Sequence, residues 1–468
     1  MAIRRLLCLI LSLALLGCAG SGTERGRATQ LAPQQLDLAT DANIAWPTAT
    51  WWNELGDAQL SALIEQARSG HPSLRIAQAR VELARATARG QRAAQQPYIS
   101  LDAELRRERF SENDIYPPPI GGSVQNNAST LLDFSYEFDF WGRQRAALAA
   151  ALNHVEAANA ERSAADLVLS IAVAQTYFEL QHAWIEQKLA SAAVEQREAL
   201  LTLTHSQIAR GLVRGAEIDF AQAALANARR DSSDAQLQAD ITLHQLAALC
   251  GISTAQLPTL QHLETSPMAI ESPARIPADL LGRRADIAAQ RQRVDAEAHR
   301  IDVAQAEFYP NVDLSGFFGL RSVDTGQLFT GGSSTWGIGP ALHLPLFNRD
   351  VLRAELGGRQ ANYDLAVEQY NQTVLTAVRE TADAGSRVQA LKMQRADIEM
   401  AEQALQRTHA IAELRYRRGL GNRIDVINTQ LALLQQQRRT ADVRTQQTQA
   451  QLSLIKALGG GYADTVTN

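Results

Sequence analysis

Aromatic side chains are scarce: eleven Phe, six Trp and nine Tyr in 468 residues. A string of compact domains, each with its own core, would use more of them. Cysteine is scarcer, with Cys8, Cys18 and Cys250 alone. If the first two belong to a leader, Cys250 is left without an internal disulfide partner and reads as a packed helix residue. The nine histidines are scattered, with no HExxH or other close metal spacing. GxSxG, the P-loop and the dinucleotide glycine pattern are missing too. No catalytic residue, metal or cofactor is therefore expected. The formal net charge of −5 is slight for this length and sets up no field for nucleic acid. One apolar run stands out, Leu6 to Leu16, and it is too short to span a bilayer as a helix, which needs about 20 residues.

That run follows Arg4 and Arg5 and precedes Gly17 and Cys18. Basic, apolar and small residues in this order make a secretory leader. "LLGC" resembles the lipobox of bacterial lipoproteins, with Cys18 as the lipidated first residue after cleavage, and Ala19 resembles those sorted to the outer membrane. The alternative is an ordinary leader with a chance Cys. Two or more acyl chains would hold the protein stably on a membrane.

What the chain has in abundance is Ala, Gln, Arg and Leu, which favour long helices, and it has them twice. Pro97 superimposes on Pro310; the same shift of 213 places Leu74 on Ile287, Val81 on Val294, Ile99 on Val312 and Leu101 on Leu314. "FWGR" (140–143) then falls on "LFNR" (346–349), and "RGLVRGAEID" (210–219) on "RGLGNRID" (418–425). One unit of about 200 residues is duplicated. Residues 251–283 between the copies carry four prolines, which exclude one continuous helix there.

Each copy orders its elements alike. Helices over 57–95 break near Gly70–Pro72 and stop at Pro97. A strand of about ten residues follows, then a turn-rich loop "ENDIYPPPIGGSVQNNAS". In "TLLDFSYEFDF", Leu132, Phe134, Tyr136, Phe138 and Phe140 alternate with Leu131, Asp133, Ser135, Glu137 and Asp139, a period of two. A helical pattern of nearly 70 residues runs to about Ala209, with Leu167, Ile171, Ala174 and Phe178 at helical spacing. Its length would be roughly 100 Å. It breaks at Gly211 and Gly215 and resumes to about Cys250. The second copy predicts helix to Phe308, strand 311–320, loop 321–334, strand 335–346, helix 349–417 and helix 424–458, ended by Gly459–Gly461.

Strands of this length with one apolar face suit a tilted barrel in a bilayer. Phe134, Phe138, Trp336, Ile338, Leu342 and Leu344 are expected to face outward. Asp102, Glu104, Arg106, Asp133, Glu137 and Asp139 are expected to face a wet lumen. The alternative is a soluble hairpin on a helical layer. Four strands cannot close a barrel, and lipid forbids open edges. Two, three or four chains would supply 8, 12 or 16 strands, and the sequence leaves this open.

Three stretches carry a family resemblance: "WWNELGDAQLSALIEQA" (51–67), "RRADIAAQRQRVDAEAHRIDVAQAEFYPNVDLSGFFG" (283–319) and "RYRRGLGNRIDVINTQLALLQQQ" (415–437). In this order, with the duplication, they resemble the TolC-like outer membrane factors, in particular the NodT-type lipoproteins of tripartite efflux systems. The resemblance implies a mainly α chain with a β-barrel part. Four transmembrane strands and very long helices per chain would form a homotrimeric 12-stranded barrel continued by an α-helical barrel. It implies an outer membrane exit duct, coupled to a periplasmic adaptor and an inner-membrane pump, and no catalysis. The order would be a leader at 1–17, a lipid-anchored tail at 18–50, a first repeat at 51–250, a connector at 251–283, a second repeat at 284–460 and a tail at 461–468.

In that family the periplasmic end closes through polar contacts near the helix turns. The matching gate candidates are Arg415 and Tyr416, with Asp219, Asp425 and Asn428 just past the turns. Ordinary helix-end chemistry would also place Asp there. The first repeat has Ile208 where the second has Tyr416. Gly211, Gly215, Gly419 and Gly421 mark the turns expected to meet an adaptor. Other readings are a structural periplasmic coiled-coil lipoprotein, or the duct of a type I protein secretion system.

Overall fold

The computed structural model of the protein describes residues 28–36, 38–39, 46–212, 214–261, 276–345 and 347–463. The leader and Cys18 lie outside these residues. Among the described residues, seven helices of more than one turn and four strands are formed: α1 (Ala58–Gly70), α2 (Pro72–Ala93), β1 (Tyr98–Arg109), β2 (Val124–Phe138), α3 (Arg143–Ala209), α4 (Ala216–Leu249), α5 (Ala285–Ala306), β3 (Asn311–Ser322), β4 (Ser334–His343), α6 (Arg349–Arg417) and α7 (Arg423–Ala457). A single helical turn, Leu280–Arg283, precedes α5. No helix among the described residues is long and apolar enough to cross a membrane.

The duplication is built into these boundaries. Both ends of α5 lie 213 residues after those of α2, and both ends of β3 lie 213 after those of β1. The paired long helices have 67 and 69 residues, and their successors 34 and 35, so the copies have kept nearly the same helix lengths.

The chain divides into two compact units. One holds Val81–Ala158 and Gln290–Tyr370. Its four strands form one antiparallel sheet in the order β1-β2-β3-β4. Beside the sheet, α2 meets α3 through Ala88, Ala151 and Val155, and α5 meets α6 through Ile301, Ala304 and Leu356. Alanine at such contacts lets helix axes approach closely, so neighbours bury their stripes without large side chains.

Several element ends differ from the sequence pattern, each for a local reason. β2 begins at Val124, inside the expected loop, because β1 extends to Arg109 and pairs residue by residue down to Val124. It ends at Phe138, so Phe140 lies beyond it. Asp139 is not a lumen-facing strand residue: its carboxylate accepts the backbone N–H groups of Gln144 (3.1 Å) and Arg145 (3.0 Å) at the start of α3. Unpaired N–H groups of a first turn favour such an acceptor. α5 stops at Ala306, and Phe308 and Tyr309 donate turn bonds back to Gln305 and Ala306 before Pro310. β4 ends at His343, two residues before Pro345, leaving Leu344 outside the sheet.

The second unit holds Leu31–Arg80, Asn159–Ala289 and Asn371 onward. Its core joins Trp51, Trp52, Leu60, Ile64 and Ala67 to Tyr177, Leu180, Leu246, Leu452 and Ile455. Asp57 organises the entry to α1. Its Oδ1 accepts Gln59 N–H and Leu60 N–H, and Tyr177 donates its hydroxyl to Oδ2 at 2.7 Å. Cys250 is buried after α4, donating to the Leu63 carbonyl at 3.7 Å, and burial pushes its thiol up to about 11.

Beyond α7, Gly459, Gly460 and Gly461 all have positive φ (89°, 57° and 85°). Gly459 N–H donates to Lys456 and Gly460 N–H to Ile455, the Schellman pattern that needs a left-handed residue. The turn is also crowded, because a Cβ on Gly459 would sit 1.9 Å from the Arg283 carbonyl oxygen. Arg284 locks the same place, donating to the Ala457 carbonyl (3.1 Å), Asp286 (2.7 Å) and Glu380 (3.0 Å). Burial works against its charge; Asp286 and Glu380 outweigh this and hold its pKa above the ordinary value.

Gly459→Ala is expected to cost more than about 2 kcal/mol, since left-handed strain of ~1–2 kcal/mol is joined by overlap with backbone. Gly56→Ala, also at positive φ but with nothing within 4 Å, should cost only about 1 kcal/mol. Thermal unfolding in detergent separates the two; equal shifts would refute the close-packing argument.

Candidate functional site: the sheet faces and the helix turns

The sheet register aligns the apolar parity of all four strands on one side. Ile99 opposes Phe134, Leu101 opposes Leu132, and Leu132 opposes Phe318 across β2–β3. Phe318 in turn opposes Trp336, Gly316 opposes Ile338, and Val312 opposes Leu342. A one-residue slip would send each of these to the other face. Within one chain they are uncovered: Leu101 is 69% exposed, Phe318 65% and Trp336 72%. The opposite face carries Ser100, Asp102, Glu104, Arg106, Asn127, Asp133, Glu137, Asp313 and Ser315, with Glu104 and Arg106 paired. Of the residues expected outward, Phe134, Phe138, Trp336, Ile338 and Leu342 share the apolar parity. Phe317 stands on the polar side and fills the space over Gly337, where a Cβ would meet its ring at 2.8 Å.

At the helical end of the sheet, Trp141 stacks on Tyr309 with ring centroids 4.5 Å apart. Its Nε1–H donates to the Pro310 carbonyl at 2.9 Å. Arg143 donates to both oxygens of Glu137 at 2.7 and 2.6 Å. The handover from helix to strand in one repeat is thus clasped by the handover from strand to helix in the other.

The two helix turns of the second unit begin with one geometry. Gly211 (φ 71°) donates to Ile208, and Leu212 donates to Gln207. Gly419 (φ 73°) donates to Tyr416, and Leu420 donates to Arg415. Both are Schellman turns with glycine at the left-handed position. Gly215 and Gly421 are different: Gly215 has a right-handed φ of −58° at the start of α4, and Gly421 lies against Arg415. The residues after the left-handed glycines, Leu212 and Leu420, are each 68% exposed.

Around the second turn, Asn422 caps α7 by accepting the Asp425 N–H at 2.8 Å. Arg423 lies over the Tyr416 ring, 5.7 Å from its centroid, a contact that the spacing of the two residues did not suggest. Arg415, Asp425, Asn428 and Asp219 are all exposed. Among the described residues no ion pair involves Arg415, Asp425 or Asp219. The turn's own pair is Arg417–Glu413, which holds the Glu413 carboxyl below its usual range through a hydrogen bond from Arg417.

A duplicated helix-strand-strand-helix-helix unit with a one-sided apolar sheet matches a known family. The model of the outer membrane efflux protein family fits residues 63–252 and 276–460, one stretch in each repeat. The chain belongs to the outer membrane efflux protein family. The multidrug resistance outer membrane protein MdtP of Escherichia coli K12 is 32% identical over 98% of this chain and 97% of its own length. Among solved structures, the outer membrane protein VceC of Vibrio cholerae is 34% identical, covers 89% of this chain and all of its own, and superimposes with a TM-score of 0.80. The Campylobacter jejuni CmeC outer membrane channel, at 23% identity and 95% and 94% coverage, shares the fold with a TM-score of 0.84. This outer membrane efflux protein is accordingly an outer membrane exit duct that extends into the periplasm.

Phe318→Arg, on the apolar face, is expected to cost about 2–4 kcal/mol in the membrane, the range for Arg at mid-bilayer. Ser315→Arg, on the polar face of the same strand, should be tolerated. The yield of heat-resistant oligomer from outer membrane fractions tests the assignment, which equal loss in both variants would overturn.

Proposed function

We propose that three copies of the chain join their sheets into one 12-stranded barrel, continued by their helices as a closed tunnel. The observation that carries this reading is the sheet order β1-β2-β3-β4, which leaves β1 and β4 as edges beneath one unbroken apolar face. Hydrocarbon does not tolerate open edges, and twelve strands lie within the range of bacterial barrels. The duct conducts passively. Energy comes from an inner-membrane pump, and a periplasmic adaptor docks at the turns around Gly211, Gly215, Gly419 and Gly421. The cargo is a range of small organic molecules, a reading that follows the name of MdtP.

A lipid on Cys18 would anchor the chain beside the barrel. Ala28 N–H donates to Asp364 at 2.7 Å, on α6. Asp364 lies fifteen residues into that helix, or about 22 Å from its start below the sheet. The roughly ten residues from Cys18 to Ala28 span at most about 35 Å, enough to reach the membrane.

Arg415, Tyr416, Asp219, Asp425 and Asn428 form the gate, and their ties run between neighbouring chains. A guanidinium bound to a carboxylate across such a seam is a charge-assisted bond that holds it closed. In planar bilayers the wild type should conduct weakly, and Arg415→Ala or Asp425→Ala should raise conductance severalfold. Unchanged conductance in both variants removes these residues from the gate; no conductance in any form overturns the duct.

A further inference from the structure

Two pairs of side chains, each one helical turn apart, face each other between α3 and α7. His182 and Glu186 stand on α3, Arg438 and Asp442 on α7. His182 Nε2 lies 3.1 Å from Asp442 Oδ1, and Arg438 Nε donates to Glu186 Oε2 at 2.6 Å. A square of ordinary ion pairs would satisfy its members. This one does not: His182 Nδ1 and Glu186 Oε1 are both buried and have no hydrogen-bond partner. Such atoms normally find one.

The protonation states of His182 do not resolve this. If Nε2–H donates to Asp442, Nδ1 is a buried bare lone pair in the neutral ring, or a buried unmet N–H in the charged one. If Nδ1 carries the only proton, the Nε2 lone pair faces a carboxylate. Neither choice gives Glu186 Oε1 a donor. One ligand atom from each of His182, Glu186 and Asp442 lies within 4.8 Å of the other two. A cation between them would meet the imidazole and both carboxylates at once.

We propose that His182, Glu186 and Asp442 form a site for a divalent transition metal of the Zn²⁺ class, pinning α3 of the first repeat to α7 of the second. One imidazole and two carboxylates suit Zn²⁺ better than Mg²⁺ or Ca²⁺, which prefer all-oxygen sets. Tetrahedral bonds of ~2.0–2.2 Å bring ligand atoms to about 3.4 Å apart, within reach of small side-chain rotations. Water takes the fourth position. Arg438 holds the second oxygen of Glu186 and so orients the ligating one. The side chain of Asp442 is 49% exposed, giving the ion a way in, while that of Glu186 is 15% exposed and closes the back of the site. Short-range spacing cannot reveal this set, because Asp442 comes from the far end of the sequence.

The test is calorimetric titration of Zn²⁺ into the full-length, EDTA-stripped protein in detergent. One saturable ion per chain with a micromolar or tighter constant is expected. His182→Ala and Glu186→Gln should each weaken it by about tenfold or more, while His244→Ala should leave it unchanged. Co²⁺ in the wild type should show the absorption bands of a four-coordinate site, which needs no variant to fold. Absence of saturable binding, or binding that the His182 and Glu186 substitutions leave intact, overturns the proposal.

Discussion

Everything in this molecule is arranged around two rows of backbone N–H and C=O groups, along β1 and β4, that the sheet of a single chain does not pair. In water such edges are tolerable; in hydrocarbon each unpaired group costs several kcal/mol. Closure by other copies is the solution consistent with a four-stranded contribution. Closure then imposes the rest. The apolar residues must share one face, which the register from Ile99 to Trp336 achieves. The strand ends must be fixed where the surroundings change, which the Trp141–Tyr309–Pro310 clasp achieves.

The helical part answers to a different limit. Helices of 67 and 69 residues draw most of their stability from packing an apolar stripe against neighbours rather than from local propensity. Alanine at the α2–α3 contact allows close axes, whereas the bulky aromatic core is collected around Trp51, Trp52 and Tyr177 in the second unit. This distribution accounts for the scarcity of aromatics without any shortage of packing.

Much of this was legible in the sequence because duplication writes each signal twice. The shift of 213 places both ends of α5 and β3 from those of α2 and β1. The start of β2 was hidden, because Gln125, Asn126 and Asn127 show no apolar alternation and only pairing with β1 makes them strand. Asp139 was misread for a related reason: its parity fits a strand, but its carboxylate serves the first turn of α3. Of the turn glycines, Gly211 and Gly419 occupy the left-handed positions, while Gly215 and Gly421 do not. The Tyr416–Arg423 contact depends on the chain reversing between them. The meeting of His182 with Asp442 depends on helices from different repeats, which no periodicity encodes.

The paired turns carry one more consequence. Their glycine-centred entries match in backbone, yet Ile208 occupies in one the position that Tyr416 holds, under Arg423, in the other. A trimer built from this chain would present six turns that begin alike, three leading into a helix at Gly215 and three into a helix capped by Asn422. Its tip would have sixfold order only where the turns begin and threefold order in everything else. A six-membered partner made of identical subunits would therefore meet two inequivalent seats in alternation, and its subunits could not all bind with the same strength.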